Sequence, residues 1–137
     1  MADHAVFWVG QKAFIEKDGN VLILNDPSEG LDFPGGKIQI EEFDFPEALR
    51  REVREETSLE IEVGEPFVVW YNIYPINHRN GGKKAILIGY RCKYKSGEIK
   101  LSNEHDSFRW VNDSNYHELD DKSRYFDALK KYFNSKK

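Results

Sequence analysis

The chain alternates between short runs with a two-residue apolar period and two runs with a helical one. Ala5 to Gly10 and Gln11 to Glu16 are apolar and β-favouring, so strand is expected there, with a break near Gly10. Lys17-Asp18-Gly19-Asn20 is a turn signal centred on Asp-Gly, and Val21 to Leu24 is wholly apolar. These runs read as a hairpin. Asn25 to Asp32 carries Pro, Gly and acids and reads as a loop. Phe33-Pro34-Gly35-Gly36 turns the chain, and Lys37 to Ile40 alternates as a further strand.

The period then becomes helical. From about Phe45 to Thr57, Leu49 and Val53 form an apolar strip able to dock on a core. Asp44 reads as the N-cap, Pro46 is tolerated in the first turn, and Glu47 is placed to close a capping box. Strand character returns at Ile61 to Val63 and in the aromatic run Phe67 to Ile76. His78 to Lys84 is a basic hairpin loop, and Ala85 to Tyr94 is the most strand-like run of all. Ser96-Gly97 turns the chain toward Ile99 to Leu101; an acidic loop, Leu101 to Asp106, leads into a strand at Ser107 to Val111. Tyr125, Phe126, Leu129, Tyr132 and Phe133 stripe a final helix, Lys122 to Phe133. Short strands interrupted by two helices imply an α+β class, a mixed β-sheet between helices, in one domain covering residues 1–137.

Composition narrows the partners. A net charge of −4 argues against a broad nucleic-acid-binding surface. No run approaches the length needed to span a bilayer, and the N-terminus lacks a signal-peptide pattern. The one cysteine, Cys92, alternates in phase with Ile88, Tyr90 and Tyr94. It is expected to face the core, and its lack of a disulfide partner suits the cytoplasm.

The chemistry concentrates in Arg51-Glu52-Val53-Arg54-Glu55-Glu56. On a helix, Glu56 lies about 40° round from Glu52 and Glu55 about 60° the other way, so three carboxylates share a face. Two carboxylates about 5 Å apart repel by roughly 3 kcal/mol at an effective dielectric near 20. Arg50, Arg51 and Arg54 could answer that as surface ion pairs; a hard, oxygen-seeking cation such as Mg²⁺ is the sharper answer. P-loop, Rossmann and His-Glu-x-x-His patterns are absent, and the four histidines are too scattered for a local zinc site.

This cluster follows a Pro-Gly-Gly turn by a helix-length spacing and resembles the Nudix hydrolase box, G-x5-E-x7-R-E-U-x-E-E-x-G-U with U aliphatic. Gly36 and Glu42 fit its first half; Arg51, Glu52, Val53, Glu55, Glu56 and Leu59 fit its second. Eight residues rather than seven separate Glu42 from Arg51, and Ser58 replaces the last glycine. The extra residue is expected in the loop before the helix, leaving the glutamates in register.

The resemblance implies an α/β/α sandwich and hydrolysis of a diphosphate bond in a nucleoside diphosphate linked to another group. It implies Mg²⁺ as cofactor, with Mn²⁺ able to substitute. Glu52 and Glu56 would be primary metal ligands, with Glu55 beside them and the Gly36 carbonyl completing the shell. Arg51 would orient a carboxylate. Glu104 is the first candidate for general base and Glu55 the alternative; His105 reads as a loop hydrogen-bonder.

Substrate choice lies outside the box. Trp8, Trp70 and Tyr74 could stack a base, and Arg79 and Lys83 could touch distal phosphates. Pro75 stands sixteen residues beyond Leu59, similar to ADP-ribose members; Tyr74 stands fifteen beyond, similar to dinucleoside polyphosphate members. The expected partner is therefore a small nucleotide, with monomer and homodimer both open. A second reading, a Nudix-fold nucleotide-binding module without catalysis, stands beside the enzyme. An isomerase on the same fold is weaker, because its chemistry needs a thiol and Cys92 sits on a core-like strand.

Overall fold

The computed structural model describes residues 3–78 and 81–135. Seven strands and two helices follow in the order β1 (Trp8–Lys17), β2 (Asn20–Asp26), β3 (Gly30–Asp32), β4 (Gly35–Lys37), α1 (Phe45–Thr57), β5 (Glu60–Ile73), β6 (Lys84–Ser96), β7 (Ser107–Val111) and α2 (Arg124–Asn134). A 3₁₀ turn, Tyr116–Leu119, precedes α2. The main path of the sheet runs β3-β2-β1-β6-β5, with β4 added to β1 and β7 to β2. Only β1 with β6 is parallel among these pairings, so the sheet is mixed, as the alternation of elements implies.

Each face of the sheet buries its own cluster. On one side Phe14, Phe33, Trp70 and Leu87 meet Phe126, Leu129, Tyr132 and Phe133 of α2. On the other, Ala13, Ile15, Leu22, Leu24, Tyr90 and Cys92 meet Leu49 and Val53 of α1. The alternation along β1 produces this division directly, since neighbouring residues on a strand face opposite sides. Cys92 is buried there, and burial pushes its thiol up to about 12, so it is a packed, unreactive group.

Several local expectations are corrected by pairing between distant segments. β1 runs unbroken through Gly10, in register with β6 from Trp8–Ala85 to Glu16–Lys93. Gly10 is there because a Cβ would press on the Leu87 side chain. The expected loop from Asn25 to Asp32 contains β3, formed because Leu24 to Asp26 offers it a partner. The strand expected at Lys37 to Ile40 lies earlier: Gly35, Gly36 and Lys37 pair with Lys12, Gln11 and Gly10. Ile61–Val63 and Phe67–Ile76 merge into one bulged strand, β5, which ends at Ile73. Ile99–Leu101 is not a strand. Lys100 N–H donates to the Thr57 carbonyl and Ser102 N–H to the Glu56 carbonyl (2.9 and 3.1 Å). These bonds satisfy carbonyls that the last turn of α1 leaves open.

The caps of α1 follow the sequence in part. Asp44 accepts from Glu47 N–H at 3.2 Å, but the Glu47 carboxylate turns to Arg50 and Arg54 instead of closing the box. Ser58 ends the helix at φ 67°, taking the left-handed conformation usual for glycine and donating to the Arg54 carbonyl. α2 begins two residues later than its apolar stripe suggests because Ser123 caps it, accepting from Phe126 N–H.

Leu49 is fully buried where α1 meets the sheet. Leu49→Ala should lower the unfolding free energy by about 3 kcal/mol in urea titration, the cost of a core cavity. A loss under about 1 kcal/mol would mean that α1 is not held by this face.

Candidate active site

The site is built where β1, β4 and α1 meet. Pairing of Gly35 with Lys12 leaves the Gly35 N–H pointing away from the ladder, and it donates to Glu56 Oε1 at 2.9 Å. Gly35 has φ 141°, and a Cβ on it would run into the backbone of Gln11. A Cβ on Gly36 would collide with the Glu52 carboxylate. The two glycines therefore let the α1 carboxylates lie directly against the backbone.

A cavity of about 260 Å³ opens at this junction. Glu52, Glu56, Glu104, Gly35, Gly36 and Lys37 line it together with Lys12, Asp32, Asn72, Tyr74 and Tyr125. Ligand atoms of Glu56, Glu104 and His105 lie within 4.8 Å of one another. Glu104 reaches this position because Ser102 is tied to the Glu56 carbonyl and His105 Nε2 bonds Asp32 Oδ2 at 2.9 Å. Burial of Glu56 raises its pKa to about 8 against the opposing pull of Lys12 and of the Gly35 N–H. Burial also raises Glu52, with Arg51 working the other way. Both carboxylates thus lack enough positive charge of their own, and their all-oxygen set fits a divalent cation such as Mg²⁺ or Mn²⁺.

Arg51 organises the outer side of the cluster. Its Nε and Nη2 each donate to Glu42 at 2.9 Å; Nη1 lies 3.1 Å from both Glu55 oxygens and Nη2 3.0 Å from Glu52. In the loop before α1, Glu41 is in a left-handed conformation at φ 67°. Glu42 still meets Arg51 as a two-bond pair.

A NUDIX domain profile matches residues 9–132. The chain belongs to the NUDIX domain family. The Nudix chain is 28% identical over 99 residues to a MutT-like protein of Streptomyces ambofaciens, a match spanning 71% of this chain and 58% of that protein. It is similar in structure to the MutT protein of Methanosarcina mazei Go1 (TM-score 0.76, 25% identity, 98% of each chain covered). It also shares its fold with a C. elegans Ap4A hydrolase (TM-score 0.69, 19% identity, 91% of this chain and 94% of that one).

The remaining sequence-predicted residues fall in different places. Glu55 is largely exposed beside Arg51 and does not line the cavity. Tyr74 lines it and stacks on His78 at 4.9 Å. Trp8 lies under the ammonium groups of Lys37 and Lys83 (5.1 and 5.9 Å), and Lys37 also faces the Tyr74 ring at 5.5 Å. Trp70 is corrected: it is a core residue, 8% exposed, packed edge-on against Phe14, Phe33 and Tyr125. It sits on the inward face of β5, so its ring has no open side for a base. Arg79 lies outside the described residues.

Sequence reasoning missed Lys12, Asp32, Asn72 and Tyr125. The signal for Lys12 was available: a lysine in an otherwise apolar strand is anomalous.

In metal-free protein the raised Glu56 value makes the protonated form the one that folding favours. That contribution is full below the ordinary value of 4.5 and is lost as pH rises through about 8. Tm measured with chelator present should therefore fall from about pH 5 to about pH 8.5. Glu56→Gln should flatten most of the slope; His105, whose value is also raised, acts in the same direction. An unchanged slope in the variant would contradict this assignment.

Proposed function

We propose that the protein is a metal-dependent pyrophosphohydrolase that cleaves the phosphoanhydride bond of a nucleoside diphosphate linked to another group. The observation that carries this reading is the convergence of Glu52, Glu56 and Glu104 on one cavity beside Gly36. Glu52 and Glu56 would hold Mg²⁺ or Mn²⁺, with Glu104 and the Gly36 carbonyl beside them. Such an ion, when bound, neutralises phosphate oxygens and makes water nucleophilic at neutral pH.

The chain's own groups supply the rest. Arg51 holds Glu52 and Glu55 in place through its fork of N–H groups. Glu104 lines the same cavity, which supports it as the group that takes the proton from the attacking water. Glu55 is less suited, because it is tied to Arg51 and does not line the cavity. Tyr74 is an aromatic group on the cavity wall with Lys37 beside it, whereas Trp8 lies off that wall with Lys37 and Lys83 over its ring.

The enzyme is favoured over a binding module because both departures from the box are absorbed locally. Glu42 still pairs with Arg51 across the longer loop, and Ser58 adopts the helix-ending conformation. ADP-ribose, nucleotide sugars, dinucleoside polyphosphates and nucleoside triphosphates remain the substrate class; the Ap4A hydrolase with this fold is one precedent for the third. The lone, buried Cys92 suits a cytoplasmic location, and no helix among the described residues is long and apolar enough to cross a membrane.

Incubation with Mg²⁺ and a nucleotide panel, followed by phosphorus NMR, tests the reading. Glu56→Gln and Glu104→Gln should each lower turnover by roughly tenfold or more, the usual scale for a lost ligand or base, with the fold intact by circular dichroism. Full turnover in Glu56→Gln would remove the metal assignment. Metal binding without cleavage of any compound would favour the binding module.

A further inference from the structure

Lys12 lies on β1 in the strand's buried stretch, yet it carries a charge. It is 8% exposed, and the little surface it keeps faces the cavity. Its Nζ lies 3.0 Å from Asp32 Oδ1 and donates to the Phe33 carbonyl at 3.4 Å. An ammonium has three N–H donors, so one has no protein acceptor among the described residues.

Asp32 is itself fixed from other directions. Its Oδ1 accepts from Phe33 N–H at 2.8 Å, and its Oδ2 bonds His105 Nε2 at 2.9 Å. Asp32 thus holds Lys12 at the cavity wall. Pairing Asp32 alone would not explain a buried lysine, since an apolar pair of the same volume is commonly as stable. The Lys12 charge also acts on Glu52 and Glu56, which line the same cavity. An ammonium and two carboxylates thus line one cavity.

We propose that Lys12 is a substrate-binding residue whose remaining N–H donates to a non-bridging oxygen of the substrate diphosphate, with Asp32 and His105 as positioning residues. The inference rests on the hydrolase reading above. A compact ammonium suits the role, because it offers a point charge without the space a guanidinium fork demands. It also divides the work: the carboxylates attract the metal, while Lys12 attracts only the phosphate and repels the metal.

That opposition in sign gives the test. Lys12→Met keeps the length and removes the charge. Calorimetry would follow two probes, Mn²⁺ alone and methylenediphosphonate at saturating Mg²⁺. The proposal expects methylenediphosphonate affinity to fall by about tenfold or more, the scale of one charge-assisted hydrogen bond, while Mn²⁺ affinity stays equal or rises. Loss of both affinities together would make Lys12 a structural support and overturn it. Loss of neither would make it a counter-ion for Asp32 and overturn it as well.

Should Lys12→Met not fold, ¹⁵N-lysine NMR of the unaltered protein decides. The Lys12 ammonium signal should shift on adding methylenediphosphonate with Mg²⁺, and a stationary signal would overturn the proposal. Failure of the unaltered protein to bind methylenediphosphonate or cleave any nucleotide would overturn the hydrolase reading too. Cleavage by Lys12→Met at the unaltered kcat/KM would overturn the Lys12 assignment alone.

Discussion

The Glu56 carboxylate is withdrawn from water, and much of the structure answers that cost. Its direct support is one backbone N–H, from Gly35. That bond exists only because Gly35 pairs with Lys12 in β1 and has no side chain to hit Gln11. The carboxylate therefore depends on the sheet register, on a glycine with positive φ and on α1 standing at one height against β4. Shifting any of these would leave a buried charge without its donor, a larger penalty than losing an exposed ion pair.

Packing fixes that height. Leu49 and Val53 seat α1 on the sheet, and the same helix delivers Glu52 beside Gly36 and Glu56 beside Gly35. The open carbonyls at the end of α1 then recruit the loop after β6 through Lys100 and Ser102. An ordinary need of helix ends thus brings Glu104 and His105, about fifty residues away in the chain, against Glu56. The same contacts that close the fold assemble the acidic cluster.

Charge is graded across the site. On the outer side Arg51 satisfies three acids from α1 and the loop before it, in partial contact with solvent. Inside, Asp32 lies between Lys12 and His105 and is held below the usual carboxylate range; burial alone would raise it, and the Lys12 charge with the His105 hydrogen bond outweighs that. Glu52 and Glu56 lie between these zones with values raised by burial. Such a grading, paired charges at both margins and carboxylates with raised values between them, is the arrangement on which the proposed cation and phosphate binding rests.

The amino-acid sequence by itself determined the two helices, the first hairpin and the glutamate face of α1. These are set by short-range periodicity, by the Asp18-Gly19 turn and by the Asp44 cap, all written within a few residues. It also marked Gly36 and Arg51, because the box spacing is local. Only the tertiary structure decided β3, the early position of β4 and the loss of a strand at Ile99–Leu101, since each depends on which distant backbone groups need partners. It likewise separated Trp70 from Tyr74, four positions apart on nearly the same face: one is sealed by Phe14, Phe33 and Tyr125, while the other reaches the cavity. The Lys12–Asp32–His105 chain came from the fold alone, because its members stand far apart along the chain and meet only when β1, β3 and the loop after β6 are packed together.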